Sequence, residues 1–367
     1  MPIYDYLVVG GSLAGCWLAY YLTQYAQQRV LQVVAPQRPG AASVAAGIVN
    51  PITGRHLLLT WRANEILPFA EAAYTEAESF FNSKGLSLPN LAKLWHKRRL
   101  IWQITEPQQA EQFHLRSQTL LYAPYIEEIT TRPTLPYLPP ALAYAQIQAA
   151  QANIGVFTQN WLAYQQNKQA SIPLVVCEEF NTKDLQLTTT SAIWRGNSIG
   201  TVVFCEGHWA TENPYFSYLP HAPVKGEALH IKISQAPNLP YIIKGGLQIA
   251  PMLTNSAEND IYWCGSTYNW TDLTPEPTEW GLATLQQKLQ QTITAPYHII
   301  KHVAAIRPAT KQRRPFLGRH PVYPQLAIFN GLGTKGTSLA PFFGHLLCKH
   351  LTQNHPLEAE IALPSPP

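Results

Sequence analysis

The chain runs to 367 residues, of which 46% are hydrophobic and 13% charged, with a formal net charge of +4. That much apolar material over that length predicts a compact globular protein of two domains. The charge is too mild to argue for a nucleic-acid partner, and the basic runs Lys97-Arg98-Arg99 and Lys311-Gln312-Arg313-Arg314 read as solvated loops or helix ends.

The first element is a β-branched and aromatic strand, Tyr4-Asp5-Tyr6-Leu7-Val8-Val9, which enters the turn Gly10-Gly11-Ser12-Leu13-Ala14-Gly15. Ala14, Leu18, Tyr21, Leu22 and Tyr25 then recur at helical spacing, and residues 30–34 read as a second strand. A strand, glycine turn, helix and strand in that order predict parallel strands covered on both faces. Residues 142–153, rich in Ala and Gln, predict a helix, and Gly155-Val156-Phe157 predicts the start of a strand. Residues 198–205 predict a further strand of the same sheet, ending at Gly207. Stretches 82–140 and 222–299 have another texture, rich in Trp, Tyr and Pro, with strand patterns such as Tyr241-Ile242-Ile243-Lys244 and Asp260-Ile261-Tyr262-Trp263-Cys264. They predict a mixed or antiparallel sheet domain, inserted twice. The expected division is 1–81, 141–221 and 300–367 for the first domain, and 82–140 and 222–299 for the second. The proline-rich residues 363–367 predict a frayed tail.

Chemistry is concentrated at the two ends of the chain. Gly10 allows a sharp turn after the strand, a small residue at 12 allows backbone to approach a pyrophosphate, and Gly15 allows the helix to pack on the strand. The helix N-terminus offers unpaired N–H groups and partial positive charge to phosphates. Two positions depart from this pattern. Ser12 stands where a second glycine is usual, and Ala35 stands where an acid would hold a ribose hydroxyl. Near the other end, Ile306-Arg307-Pro308 precedes Asn330-Gly331-Leu332-Gly333-Thr334-Lys335-Gly336, a glycine loop that again opens a helix. The pairing suggests a flavin enzyme built from both ends of its chain.

Between these segments stand Ala42-Ser43-Val44-Ala45-Ala46-Gly47-Ile48-Val49-Asn50-Pro51, Glu206-Gly207-His208-Trp209, Pro223-Val224-Lys225-Gly226-Glu227 and Arg314-Pro315-Phe316-Leu317-Gly318. In this order and spacing nearly the whole chain resembles the D-amino acid oxidase family of FAD-dependent oxidoreductases, which includes glycine oxidase, sarcosine oxidase and D-amino acid dehydrogenases. The resemblance implies an α/β fold: a Rossmann-like FAD-binding domain of the glutathione-reductase type, plus a substrate domain with a mixed or antiparallel sheet. It implies that Gly10, Gly11, Ser12, Leu13, Ala14 and Gly15 wrap the pyrophosphate and that Ala35 and Pro36 lie beside the adenosine ribose. Ser43, Val44, Ala45, Ala46, Gly47 and Ile48 would run along the pyrophosphate and the isoalloxazine edge, with Cys205, Glu206 and Gly207 at a strand end near the cofactor. Gly331, Gly333, Thr334, Lys335, Gly336 and Thr337 would close over the flavin pyrimidine ring.

The same resemblance implies that Arg307 anchors a substrate carboxylate, a task suited to a planar guanidinium fork. Bracing of the domain interface is the alternative role for it. Lys335 would favour anionic reduced flavin; an exposed loop lysine is the other reading. Thr334 falls where some relatives place a second carboxylate-binding residue, and Gln248 where relatives place a pocket tyrosine. Asn50, Arg55 and His56 are candidates for the substrate side of the flavin. Residues 311–318 contain no cysteine, so FAD is expected to be held non-covalently.

The expected activity is oxidation of the C–N bond of an amino acid or related carboxylate-bearing amine, by hydride transfer to flavin N5. The expected partner is that small molecule, not a nucleic acid. Two alternatives stand beside it: a flavin enzyme modifying the tRNA wobble uridine, and a non-catalytic relative that binds a ligand or partner. Cys16, Cys177, Cys205, Cys264 and Cys348 are scattered and form no Cys-x-x-Cys pair, which predicts buried thiols in a reducing cytoplasm and no metal site. The sequence enters a strand without a basic, cleavable leader and has no apolar run of about 18–20 residues. The expected location is cytoplasmic.

Overall fold

The computed structural model describes residues 3–54, 56–86, 93–133, 135–167, 175–233, 239–253 and 260–365. Among them stand the helices α1 (Leu13–Gln24), α2 (Ala63–Ser83), α3 (Pro107–Ser117), α4 (Ile154–Asn167), α5 (Glu279–Gln290) and α6 (Gly336–Gln353). No helix among the described residues is long and apolar enough to cross a membrane.

Two large sheets carry the site. In the first, strands Val175–Cys177, Val30–Val34, Tyr4–Val9, Asn197–Phe204 and Leu326–Asn330 lie side by side in that order, all parallel. Their apolar runs are nearly continuous because both faces are covered. On one face Trp17 of α1 stacks on Phe157 of α4 at 4.1 Å and meets Tyr74 of α2 edge-on at 5.1 Å, in a core shared with α6. The hairpin Leu185–Leu187 and Ala192–Trp194 joins the same sheet antiparallel to Asn197–Phe204, and its apolar side chains share the core of the other face with Phe216 and Leu219.

The second sheet runs Tyr297–Arg307, Val224–Ile233, Ile261–Gly265, Gln248–Pro251, Ile242–Lys244, Trp95–Ile104, Ala143–Ala152 and Ile48–Val49, with Ile126–Thr130 also on Ala143–Ala152. Its pairs are antiparallel except Ile242–Lys244, which runs parallel to Trp95–Ile104. Side chains alternate across a strand, so the two faces differ in kind. Ile101, Leu229, Ile243, Ile249 and Cys264 pack with Leu285 and Leu289 of α5 on one face. Residues Trp102, Lys244, Gln248, Gly265, Ala228 and Val303 form one cross-strand row on the other. That second face looks toward the first sheet, because Trp263, on it too, donates its indole N–H to the Val44 carbonyl at 2.9 Å.

Two local expectations are corrected here. The stretch expected as a helix at 142–153 is the strand Ala143–Ala152, paired over its whole length with Trp95–Ile104. Helix propensity in Ala and Gln yields to that long ladder, and Gln151 is buried with its side chain bonded to the Ala46 and Pro251 carbonyls, both at 2.8 Å. The strand expected from Gly155 is instead the first turn of α4. Asn153 initiates it, its side-chain oxygen accepting from the Val156 N–H at 3.2 Å. The second sheet therefore also takes in Ile48–Val49, Ala143–Ala152 and all of Tyr297–Arg307.

α5 is tied to the sheet by a buried carboxylate. Glu227 accepts from the N–H and the hydroxyl of Thr278, the helix N-cap, both at 2.8 Å. The positive end of the helix dipole favours that charge. His302 Nε2 stands 3.0 Å from the same group. His298 and His302 are four residues apart, but within a strand, and no group of three or more metal-binding side chains occurs among the described residues.

Candidate active site

The glycine turn is a cradle that admits no larger residue. Gly10 has φ +130°, and a Cβ there would fall 2.3 Å from the Cys205 carbonyl oxygen. At Gly15 it would fall 2.1 Å from the Gly10 carbonyl oxygen, and at Gly11 2.5 Å from Val34 Cγ1. Ser12, with extended backbone, precedes α1 and makes no side-chain cap bond. The first N–H groups of α1, beginning with Leu13 and Ala14, are thus left to an anion. Ala35 and Pro36 follow the Val30–Val34 strand directly. Their neighbour Arg38 stacks over Trp209 at 4.6 Å and pairs with Glu179. Cys205, Glu206 and Gly207 end the adjacent strand; burial raises the Glu206 carboxyl to about 7, and it accepts from Asn213 Nδ2 at 2.7 Å. These groups stand at the carboxyl ends of the parallel strands, where this architecture takes nucleotides.

The segment 43–48 is fastened to the second sheet at three points. Val44 receives the Trp263 bond, Ala46 the Gln151 bond, and the Gly47 carbonyl accepts from the Ala152 N–H at 2.9 Å. A Cβ on Gly47 would lie 2.0 Å from the Ala152 oxygen. Ser43 is local, its hydroxyl donating to the Gly40 carbonyl at 2.9 Å. Ala45 follows the short 3-10 turn Ala41–Val44, and Ile48 opens the edge strand.

The C-terminal loop meets this segment from the other side. Asn330 Nδ2 donates to the Gly207 carbonyl at 2.7 Å, and the Gly333 N–H to the Pro308 carbonyl at 3.0 Å. At Gly331, φ is +77° and a Cβ would fall 2.5 Å from Thr310 Cγ2. Lys335 is the N-cap of α6 and makes no side-chain cap bond, so Gly336 and Thr337 begin a second helix N-terminus open to a ligand. Its ammonium lies instead 3.4 Å from the Asn50 carbonyl and 3.3 Å from Thr60 Oγ1. Loss of water pushes it down to about 8. Asn50 is buried, and its Nδ2 finds no partner among the described residues. Thr334 and His56 are exposed, and Arg55 lies outside the described residues.

Arg307 ends its strand on the inner face of the second sheet. Its Nη2 donates to Ser266 Oγ at 2.6 Å and to the Thr267 carbonyl at 3.2 Å, and its guanidinium lies over the Tyr268 ring at 4.5 Å. Gly226 makes room for it: a Cβ there would fall 1.9 Å from Nη2. Among the described residues no carboxylate pairs with it, and desolvation lowers its pKa. Gln248 is on the same face, in register between Lys244 and Gly265. Arg307 and Gln248 thus converge on one surface, Asn50 and Lys335 on one another. Sequence reasoning missed Lys244, Trp263, Gln151 and Tyr268. Lys244 had a signal, an ionisable residue in an apolar strand; the others required the pairing.

Three residues of the basic runs are paired with acids. Lys97 pairs with Glu71 at 3.0 Å, Arg99 with Glu127 at 2.8 Å, and Arg314 with Glu360 at 2.5 Å.

The family model described as FAD dependent oxidoreductase (DAO) matches residues 5–350, and the chain belongs to that family. Solved structures agree on the fold. Glycine oxidase from Geobacillus kaustophilus is similar with a TM-score of 0.80 at 19% identity, covering 99% of each chain. Iminodiacetate oxidase from Chelativorans sp. BNC1 gives 0.73 at 17%, covering 99% of this chain and 100% of that one. L-alpha-glycerophosphate oxidase from Mycoplasma pneumoniae, solved with FAD bound, gives 0.69 at 18%, covering 98% and 99%. FAD is the cofactor of this enzyme. The residues present fit it: a glycine cradle closed to any side chain, two uncapped helix N-termini, and a partly buried lysine with no acidic partner among the described residues.

Proposed function

We propose that this FAD-dependent oxidoreductase oxidises the C–N bond of an amine that carries a carboxylate. The observation that carries the reading is Arg307: a desolvated guanidinium with no acidic partner among the described residues, on the sheet face that looks toward the first sheet. A cation so placed, stripped of water and held open by Gly226, is complementary to a carboxylate. Glycine oxidase and iminodiacetate oxidase, by their names, act on amines bearing carboxylates, which agrees with this reading.

In this proposal the parallel sheet is the core of a cofactor domain and the mixed sheet that of a substrate domain. Residues 10–15 and the start of α1 hold the pyrophosphate, Ala35 and Pro36 lie beside the ribose, and Cys205, Glu206 and Gly207 line the adjacent wall. Segment 43–48 runs along the flavin, and Gly331, Gly333, Thr334, Lys335, Gly336 and Thr337 close over its pyrimidine end. When bound, FAD accepts the hydride from the substrate carbon next to nitrogen. The protein does the rest by position and charge: Arg307 fixes the carboxylate, and Gln248 and Asn50 offer hydrogen bonds to the amine side. Lys335 and the α6 N-terminus favour negative charge beside them.

The test is the flavin absorption of the purified holoenzyme during anaerobic addition of glycine, sarcosine, proline and a panel of D-amino acids. Bleaching by at least one of these is expected, with half-saturation raised about 100-fold in Arg307→Met, as truncation of one partner in a desolvated ion pair requires. Bands that persist with every compound sink the reading.

A further inference from the structure

On the inner face of the second sheet Arg307 is not the only cation without an acidic partner. Lys244 sits in the same cross-strand row as Gln248, its ammonium 3.1 Å from the centre of the Trp102 ring. Lys335 reaches the same region from α6, bonded to Asn50 and Thr60. Among the described residues neither lysine has a carboxylate partner. Burial and the neighbouring Lys335 charge push Lys244 down to about 7. A cation in a poorly hydrated place is unfavourable by itself, and an anion beside Lys244 would relieve that cost.

Lys244 also lines a cleft of about 630 Å³ with Gly54, Trp102, Thr105, Gln109, Gly245 and Gln291. Its walls are mainly carboxamide, hydroxyl and backbone, and Glu106 is the acid among its lining residues, exposed to solvent. The Arg307 guanidinium lies against Gly226 and Ser266, while Lys244 is two strands beyond Ile261–Gly265. The Lys244 ammonium lies over Trp102, one strand further still, so two to three strand spacings, about 10–15 Å, separate the two cationic groups.

We propose that the site takes dianionic ligands, one carboxylate on Arg307 and a second anionic group on Lys244, so that the substrate is an amino dicarboxylate. This rests on the reading of Arg307 given above and adds the second subsite to it. Trp102, beneath Lys244, holds the ammonium in place by its ring face. Gln248, between the two cationic positions, lies along the connecting chain.

The experiment uses the holoenzyme and two non-oxidisable probes, glutarate and butyrate, titrated at constant ionic strength and followed by perturbation of the flavin spectrum. Glutarate is expected to bind at least 10-fold tighter. In Lys244→Met that ratio is expected to fall to within about 2-fold, and Lys244→Arg to recover most of it. Equal binding of the two probes to the wild-type enzyme overturns the proposal, whether or not the variants fold, as does a ratio unchanged in Lys244→Met. Failure here is separable from failure of the parent reading. Amines with one carboxylate that bleach the flavin while glutarate shows no advantage remove only the second subsite. A lysine-dependent preference for glutarate without bleaching by any amine keeps the subsite and removes the amine oxidation.

Discussion

Lys335 and Lys244 carry their charge where water is scarce, and the pH dependence of stability should register it. An ordinary lysine titrates near pH 10.4, whereas these titrate near about 8 and about 7 in the folded chain. Between the folded and unfolded values the unfolded chain binds more protons, so these groups make stability rise with pH over about 8–10 for Lys335 and about 7–10 for Lys244. Below the folded value the full cost of the buried charge is present. Urea midpoints of flavin-free protein should therefore favour Lys335→Met over wild type at pH 7.5, with the gap closing toward pH 10. A gap that stays constant would mean the ammonium is well hydrated. At this scale the turn glycines were legible in the chain, because their steric demand is tied to residue type. The partners were not: nothing in the spacing of residues 226 and 307 says that the missing side chain of one makes room for the other.

At the scale of the element, the turn into α1 depends on backbone contact more than on any side chain. The Gly10 oxygen occupies the space a Cβ would need at Gly15, and it cannot rotate away as a flexible side chain could. Gly15→Ala is expected to cost about 2–4 kcal/mol, in the range of mutations that force a buried backbone to move, and to lower flavin content in the purified protein. Native-like FAD occupancy with an unchanged urea midpoint would show that helix and strand can separate at little cost. The first strand, α1 and Val30–Val34 were readable because propensity, turn chemistry and period agree there. In Ala143–Ala152 they conflict. Its composition favours a helix, and only its ten-residue ladder with Trp95–Ile104 makes it a strand.

Across the whole molecule the chain builds the first sheet with residues 4–34 and the second from 48 to 152. It returns to the first from 175 to 204, leaves for the second from 224 to 307, and closes in the first from 316 to 330. Neither sheet is made from one uninterrupted stretch. The Trp263 to Val44, Gln151 to Ala46 and Lys335 to Asn50 bonds link segments more than 100 residues apart. Thermal unfolding should consequently be one transition, with loss of far-UV ellipticity and release of flavin fluorescence coinciding. FAD at 100 times its Kd should add about 2.7 kcal/mol. Two transitions, only one of them moved by FAD, would mean that the sheets unfold independently.

What the sequence by itself determined is the glycine turn between strand and helix and the two-sheet class. Each of these follows from local steric demands and from periods that are written in consecutive residues. The tertiary structure decided which side chains share the inner face of the second sheet. Arg307, Gln248 and Lys244 lie on three separate strands, and only the hydrogen-bond register between strands brings them onto one surface. Register is a long-range property, set by the packing of one whole face against α5, and no short window of sequence contains it.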